Sequence, residues 1–462
     1  MVRVLLLRRR NRHNLVNDSN QPLRTHLAEI VADSLSLPIP ASTRRDVTGP
    51  VSLPNKATAV IGMRRSGKTT FLHQLRTERL ARGVSRERLP FWNFEDERLA
   101  QLQANQLHLL VDEYYRLHPE HRQQQTVTIC LDEVQVVAGW ERFVRRLLDT
   151  EKVELFLSGS SAALLSREVA TSMRGRAWEV VIHPFSFPEA LRHAGKELPD
   201  RADGQSSRQR SLLERQFADY LATGGFPEAQ GLDAATRHRL LRDYVDVVML
   251  RDVMERHEIT SITALRWLVR HLLGNAGTLF SVQKFFASLK SQGLKIGKDT
   301  VHQLVAYLED CFLVRTVWIE SDSERRRMVN PRKVYPIDPG LIAVFDRSGK
   351  ANVGHALETA VLLELERRGA TVTYVRTASG FEVDFLARFP AGDVELIQVA
   401  AEASRGETAA RELRALQEAR SLFPAAAPRL VVMNSDGLPA DVPVGIVAQA
   451  ATEWFLAEPA TS

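Results

Sequence analysis

The chain has 462 residues, 44% of them hydrophobic and 25% charged, and this ordinary globular composition predicts about three domains. Lys and Arg number 61 against 56 Asp and Glu, so the net charge of +5 permits a polyanionic partner without requiring one. No apolar run approaches the roughly 20 residues that a membrane span needs, so no membrane association is expected.

The first 45 or so residues are expected to form a poorly ordered N-terminal extension. The apolar stretch at its start precedes the arginines, which is the reverse of the order in a secretory signal. Cys130 and Cys311 lie in apolar runs, as buried cysteines of a reducing compartment do, so a cytoplasmic protein is expected. A flexible tail is favoured over a nucleic-acid-binding arm for the basic cluster of Arg8, Arg9, Arg10 and Arg12.

Between residues 57 and about 190, short apolar segments alternate with helical segments. The strand candidates are ATAVI, LPFWNF, TVTICLD and VELFLSG. Continuous apolar strands that alternate with helices are typical of a parallel sheet covered on both faces. The sequence therefore predicts an α/β core, which we assign to residues 46–235.

The segment IGMRRSGKTT has the spacing of a phosphate-binding loop, with Gly62, Gly67, Lys68 and Thr69 at its key positions. Glycines let successive backbone amides turn toward phosphates, and the amino end of the following helix adds partial positive charge. We expect Lys68 to reach the β- and γ-phosphates of ATP and Thr69 to bind Mg²⁺. The residues expected around the nucleotide are Gly62, Met63, Arg64, Arg65, Ser66, Gly67, Lys68, Thr69 and Thr70.

The second part of the expected site is a pair of acidic residues at the end of the strand candidate TVTICLD. Asp132 is expected to hold the Mg²⁺ shell, and Glu133 to orient and polarise the attacking water. Two carboxylates at the end of a buried strand are costly unless they serve a metal or a water, although a tight turn is the alternative.

Polar groups near the next strand are candidates for completing the site. Ser160 is our first candidate for a group that senses the γ-phosphate and Ser158 the second, with an ordinary Gly-Ser turn as the alternative. Farther along, Arg174 and Arg176 are candidates for completing the site of a neighbouring subunit. The alternative is that both are simply surface arginines.

Several segments, in this order, resemble one known family. They include GMRRSGKTT, FWNFEDERL, LDEVQVVAGWERFVRRLLD, HPFSFPEAL, YLATGGFPEA and KVYPIDPGLI. They are similar to the AAA-type (AAA+) ATPases of bacteria and archaea that carry a C-terminal domain of unknown function. This resemblance implies a P-loop ATPase core, a winged-helix domain and a C-terminal α/β domain of the restriction-endonuclease-like, PD-(D/E)XK type.

The segment 236–345 is assigned to the winged-helix domain. Two amphipathic helices are expected in FSVQKFFASLKSQ and KDTVHQLVAYLEDC, followed by a hairpin. Such modules place a helix in a DNA groove and a basic wing on the backbone, although packing alone is the alternative role. The expected DNA contacts near the tip of the hairpin are Arg325, Arg326 and Arg327.

Residues 346–462 are assigned to the endonuclease-like domain. In the resemblance, Glu358 on a helix and Asp384 on a strand take the positions of metal-binding acids. The acid-x-Lys pair that should follow aligns with Gln398 and Ala400, and these share one face of a strand. An amide is a weak ligand for a divalent metal and alanine supplies no ammonium, so we expect a domain that does not cleave DNA.

The leading hypothesis is an oligomeric, ring-forming, Mg²⁺-dependent ATPase that binds DNA and remodels it or translocates along it. The mildly basic balance, the winged helix and the endonuclease-like fold favour this hypothesis. The alternative is a nucleotide-gated signalling or stress switch that binds a protein partner and hydrolyses ATP slowly.

Overall fold

The computed structural model describes residues 21–159, 173, 175–196, 206–346, 352–403 and 406–457. The first sheet has the strand order β2-β3-β4-β1-β5, and all of its pairs are parallel. Every residue of β1 and β3 is buried. The predicted α/β fold with a parallel sheet is therefore confirmed. The strands are β1 (Ala57–Ile61), β2 (Phe91–Asn93), β3 (Val127–Asp132), β4 (Val153–Ser158) and β5 (Ala177–Val181).

Helices cover this sheet where they present apolar side chains to it. The helix after β1 buries Phe71, Leu72 and Leu75, which pack against Val60 and Phe156 of the strands. This spacing puts the three side chains on one helix face. The helices of this part are α1 (Gln21–Ser36), α2 (Lys68–Ala81), α3 (Leu107–Leu117), α4 (Trp140–Thr150) and α5 (Phe187–His193).

The N-terminal region differs from the expectation of a poorly ordered extension. Residues 21–36 form α1, whose Leu27, Ile30 and Val31 are buried in the main core. Their spacing of three and four residues is that of an amphipathic helix, which packs against α3. The basic cluster of Arg8, Arg9, Arg10 and Arg12 lies outside the described residues.

The rest of the described chain is built around a second, eight-stranded sheet of order β13-β12-β11-β10-β9-β7-β8-β6. Its strands are β6 (Leu279–Phe280), β7 (Val314–Ile319), β8 (Arg332–Pro336), β9 (Thr371–Arg376), β10 (Glu382–Arg388), β11 (Val394–Ala400), β12 (Ala427–Val432) and β13 (Val447–Ala450). Its helices are α6 (Ser207–Thr223), α7 (Ala234–Val247), a π-helix (Val248–Glu255), α8 (Ile262–Gly274), α9 (Val282–Ser291), α10 (Lys298–Asp310), α11 (Glu324–Val329), α12 (Gly340–Phe345), α13 (Val353–Arg367), α14 (Gly406–Leu422) and α15 (Ala451–Leu456).

This second sheet runs across residue 345, the boundary expected between the winged-helix and endonuclease-like domains. Strand β7 pairs with β9 in parallel, with Trp318 opposite Thr373 and Ile319 opposite Tyr374. On its other side β7 pairs with β8 in an antiparallel hairpin. Backbone hydrogen bonds therefore join the hairpin to the C-terminal strands. Among the described helices, none combines the length and the apolar character that crossing a bilayer requires.

A buried ion cluster adds a second link between the hairpin and the C-terminal strands. Lys333 of β8 is 3% exposed, and its Nζ lies 2.8 Å from Asp384, 2.9 Å from Glu382 and 3.1 Å from Glu358. Tyr335 also donates a hydrogen bond of 2.6 Å to Glu358.

The charges in this cluster depend on one another. Burial disfavours the Lys333 ammonium, yet Asp384, Tyr335 and Glu358 raise its pKa well above the ordinary value. Burial, and then the charge of Asp384, raises the pKa of Glu358 to about 7. The single ammonium is therefore the shared counter-charge of Glu358 and Asp384, two carboxylates that the fold has removed from water.

We predict that Lys333→Met lowers the free energy of unfolding by about 3–5 kcal/mol, because it leaves buried carboxylates without a counter-charge. Denaturant unfolding at neutral pH measures this change. The matched control is Lys290→Met, which removes an exposed lysine from α9 and should stay within about 0.5 kcal/mol of the parent protein. Equal stability of the two variants would contradict the role of Lys333 as a link.

Candidate nucleotide site

The loop between β1 and α2 has the backbone of a phosphate-binding loop. Gly62 has φ of 145° and Gly67 has φ of 100°, which side chains rarely tolerate. A Cβ at position 62 would also collide with the carbonyl oxygen of Ile182. Arg65 adopts φ of 67°, so the chain reverses within the loop before α2 begins. The two glycines are thus required by the geometry of the turn.

The loop encloses the side chain of Lys68. Its Nζ donates hydrogen bonds of 3.1 Å to the carbonyl of Gly62 and 3.0 Å to that of Met63. Burial lowers the pKa of this ammonium, while the charges of Glu133 and Asp132 oppose that effect. Nearby Ser66 Oγ is fully buried and has no hydrogen-bond partner within the described part of the chain. A cation and a free hydroxyl therefore line this loop, a set that suits a phosphate group.

Asp132 lies at the centre of the site. Thr69 Oγ1 donates a hydrogen bond of 2.9 Å to its Oδ2, and Ser158 Oγ donates to its Oδ1. Burial raises the pKa of this carboxyl, although both hydrogen bonds oppose the rise. Because the carboxyl ends of parallel strands meet at one sheet edge, β1, β3 and β4 bring these side chains together. Hydroxyl and carboxylate oxygens are the ligands that Mg²⁺ prefers, so this set fits that ion.

Glu133 follows directly and has an unusual backbone. Its φ of 53° and ψ of 38° lie in the left-handed region, which costs a non-glycine residue on the order of 1 kcal/mol. Its amide donates to Ser158 Oγ at 3.2 Å, and the side-chain amide of Gln135 donates to its carboxylate. The half-buried carboxylate is thereby held in one orientation beside Asp132.

Arg45 holds the phosphate loop through side-chain hydrogen bonds, a role that the sequence did not predict. This arginine is 6% exposed and donates a hydrogen bond of 2.8 Å to the carbonyl of Ser66. It also donates to the carbonyl of His183 and forms a 3.1 Å ion pair with Glu189 of α5. It therefore connects the loop with the segment that follows β5. No local pattern marks it, because its partners are 21 to 144 residues away in sequence.

Asp252 is a second contact that the sequence did not predict. It lies in the π-helix, and Arg64 of the loop pairs with it at 2.9 Å. Burial raises the pKa of Asp252, while the bond to Arg64 opposes the rise. Arg65 also reaches Glu228 at 3.0 Å. Two arginines of the loop are therefore bound to the region after the first sheet.

Four of the remaining predicted site residues, Arg176, Arg325, Arg326 and Arg327, lie apart from this centre. Arg176 is next to the first residue of β5, at the sheet edge opposite the loop, and it pairs with Asp149. In α11, between β7 and β8, Arg325 and Arg326 are exposed, whereas Arg327 pairs with Glu324 at 3.1 Å. Ser160 and Arg174 lie outside the described residues.

The C-terminal acids have a partner that the sequence did not reveal. Ala400 supplies no ammonium, as the sequence indicates, but Lys333 supplies one to these acids from β8. Gln398 accepts a hydrogen bond from the Asp384 amide at 3.3 Å and donates one of 2.7 Å to Glu412. Glu358 and Asp384 are thus brought together, with the ammonium bonded to both.

A comparison with known protein families agrees with the description of the first sheet and its phosphate loop. Residues 54–191 match the model of an AAA domain family, which confirms the AAA-type assignment of this part. Residues 214–351 match a domain of unknown function, DUF8612. The Walker-type ATPase PABY2304 of Pyrococcus abyssi is a structural neighbour with 14% identity and a TM-score of 0.37, covering 70% of this chain and 95% of its own.

Two relatives match most of the chain. An uncharacterized protein of Haemophilus influenzae is 29% identical over 345 residues, which cover 74% of this chain and 82% of that protein. The uncharacterized protein MJ1544 of Methanocaldococcus jannaschii is 32% identical over 397 residues, which cover 85% of each chain. The chain therefore belongs to the same protein family as MJ1544, and it carries an AAA-type P-loop domain in its N-terminal part.

Proposed function

We propose that this protein is a Mg²⁺-dependent ATPase that assembles into a ring and remodels DNA or translocates along it. One observation carries the ATPase part of the proposal. Thr69, Asp132, Glu133 and Ser158 are joined by hydrogen bonds around the buried Asp132 carboxylate, and the Lys68 ammonium lies in the adjoining loop at the same sheet edge. Such a set has little other use, since burying the Asp132 carboxylate beside the half-buried Glu133 without a cation to serve is unfavourable.

The proposed roles follow from the groups present. Lys68 exchanges its bonds to the Gly62 and Met63 carbonyls for the β- and γ-phosphates of ATP. Thr69 and Asp132 hold Mg²⁺, which neutralises charge on the phosphates. Glu133, oriented by Gln135, accepts a hydrogen bond from the attacking water and polarises it. The Ser158 hydroxyl donates to the Asp132 carboxylate and accepts from the backbone amide of Glu133, so it positions both residues. Ser160 remains the proposed γ-phosphate sensor.

Assembly into a ring would explain the distance of Arg176 from its own loop. Arg176 lies at the opposite edge of the sheet, with an exposed side chain bound to Asp149. An exposed arginine on that edge is available to a neighbouring subunit, where it would stabilise charge on the transferred phosphate. Arg174 is the second candidate for this role.

Contact with DNA is proposed for the region around α9 to β8. The order β6, α9, α10, β7 and β8, closed by an antiparallel hairpin, supports the winged-helix assignment of residues 236–345. Arg325 and Arg326 are exposed on α11 between the two hairpin strands. A basic tip of this kind suits the phosphate backbone rather than base edges.

For the C-terminal part, residues 346–462, we propose a restriction-endonuclease-like domain that does not cleave DNA. The ammonium of Lys333 lies directly against Glu358 and Asp384, so it takes the place beside these carboxylates that a metal ion needs. Gln398 and Ala400 replace the acid and the lysine of the strand motif. This buried cluster therefore serves the fold.

A second candidate function is a nucleotide-gated switch that acts on a protein partner. The Arg64–Asp252 pair favours it, because this pair links the phosphate loop directly to the π-helix of the following region. A change in the loop on nucleotide binding would reach that region without any DNA. The two candidates differ in whether DNA changes the rate of ATP hydrolysis.

We predict that Lys68→Ala abolishes nucleotide binding, because it removes the cation enclosed by the loop. Glu133→Gln should leave binding intact and lower kcat at least about 100-fold, since the amide cannot polarise the water. A fluorescent ATP analogue and phosphate release measure the two effects. The control is the exposed Glu97→Gln, expected to behave as the parent protein. Normal turnover by Glu133→Gln would refute the assigned role.

We predict that duplex or branched DNA stimulates ATP hydrolysis and that the stimulation fades as salt rises, because phosphate contacts release counterions. Substituting both Arg325 and Arg326 by alanine should lower the slope of log affinity against log salt by about 0.9 for each lost phosphate contact. The matched control replaces Arg208 and Arg210, two exposed arginines of α6. Hydrolysis that ignores every DNA at low salt would favour the switch instead.

A further inference from the structure

Three side chains converge in the turn that follows α3. His118 Nδ1 lies 3.4 Å from Glu120 Oε1, and His121 Nε2 lies 3.5 Å from the same oxygen. The three ligand atoms all lie within 4.8 Å of one another. One turn of 3-10 helix, Pro119–His121, sets this spacing. The turn leads toward β3 from its amino end, so the group lies at the sheet edge opposite the phosphate loop.

The hydrogen bonds of Tyr114 determine the tautomer of His121. The Tyr114 hydroxyl has one proton, and it donates this proton to the backbone carbonyl of Glu87 at 3.0 Å. Toward His121 Nδ1, at 2.9 Å, the hydroxyl must therefore accept, so Nδ1 carries the hydrogen. The lone pair of a neutral His121 then lies on Nε2, which faces the carboxylate oxygen of Glu120.

A lone pair that faces a carboxylate oxygen is unfavourable unless a second ring proton or a metal ion lies between them. His118 presents Nδ1 to the same oxygen. Ligands about 2.0–2.2 Å from a tetrahedral Zn²⁺ are separated by about 3.3–3.5 Å, which matches the two distances. Two imidazoles and one carboxylate are a ligand set suited to Zn²⁺, and the Tyr114 contact is the kind of outer hydrogen bond that orients a ligating histidine.

We propose that His118, Glu120 and His121 bind a divalent transition-metal ion, with Zn²⁺ the best match. Tyr114 is a positioning residue that holds His121 in the ligating tautomer. His121 is 6% exposed, whereas the Glu120 side chain is 57% exposed, so the fourth position opens to solvent and takes water. The bound ion would fix the end of α3 against the segment that enters β3. This site is independent of the proposed ATPase activity.

The test is calorimetric titration of the full chain with Zn²⁺ in excess Mg²⁺, which occupies the oxygen ligands of the phosphate loop. We expect binding of one Zn²⁺ per chain and a raised melting temperature. His118→Asn and Glu120→Gln, which change the more exposed ligands, should weaken binding at least about 10-fold, and Tyr114→Phe should weaken it by about 10–100-fold. Circular dichroism checks that each variant is folded.

The matched control is His26→Asn, which removes an exposed histidine of α1 and should leave Zn²⁺ affinity unchanged. Substituting Co²⁺ should give the visible absorption of a tetrahedral site, and His118→Asn should remove it. Failure of the parent protein to bind Zn²⁺ at micromolar concentration would overturn the proposal. Equal affinity in the parent, His118→Asn and Glu120→Gln would overturn it as well, since the ion would then lie elsewhere.

Discussion

The candidate active site depends on one buried carboxylate, that of Asp132. Its two oxygens accept hydrogen bonds from Thr69 and Ser158, so it joins the start of α2 to the ends of β3 and β4. A carboxylate removed from water needs such donors, and the same donors fix the distance between the phosphate loop and the acidic strand end. Glu133 is then placed by the next peptide unit, whose amide bonds to Ser158. The proposed binding and hydrolysis of ATP would thus depend on a shared hydrogen-bond network.

The phosphate loop is also tied to parts of the chain far away in sequence. Arg45 binds the carbonyl of Ser66 from one side, and Asp252 binds Arg64 from another. A loop held at several points keeps its amides oriented before a ligand arrives, which lowers the entropy lost on binding. Because of these contacts, any shift of the loop would also disturb the Arg45–Ser66 hydrogen bond and the Arg64–Asp252 ion pair. The π-helix that carries Asp252 is an irregular element of a kind often found at functional sites.

The parallel sheet and the loop were predictable because local rules determine them: strand hydrophobicity, glycine spacing and the helix that follows. Helix α1 was not predicted although Leu27, Ile30 and Val31 have helical spacing, because the basic segment that precedes it is typical of an unordered tail. Arg45, Asp252 and Lys333 were beyond reach, since each acts through partners that only the tertiary fold brings close. Lys333 shows this best: the ammonium that the strand around Gln398 and Ala400 lacks comes from a hairpin strand that lies more than 60 residues earlier.

The pairing of β7 with β9 has a mechanical consequence. A hydrogen-bonded sheet resists bending within its own strand order, so the hairpin and the C-terminal strands must travel together as a rigid unit. Any displacement relative to the first sheet would then involve the helical stretch that lies between the two sheets in sequence. Any ligand bound by the C-terminal strands would therefore move together with the tip of the hairpin.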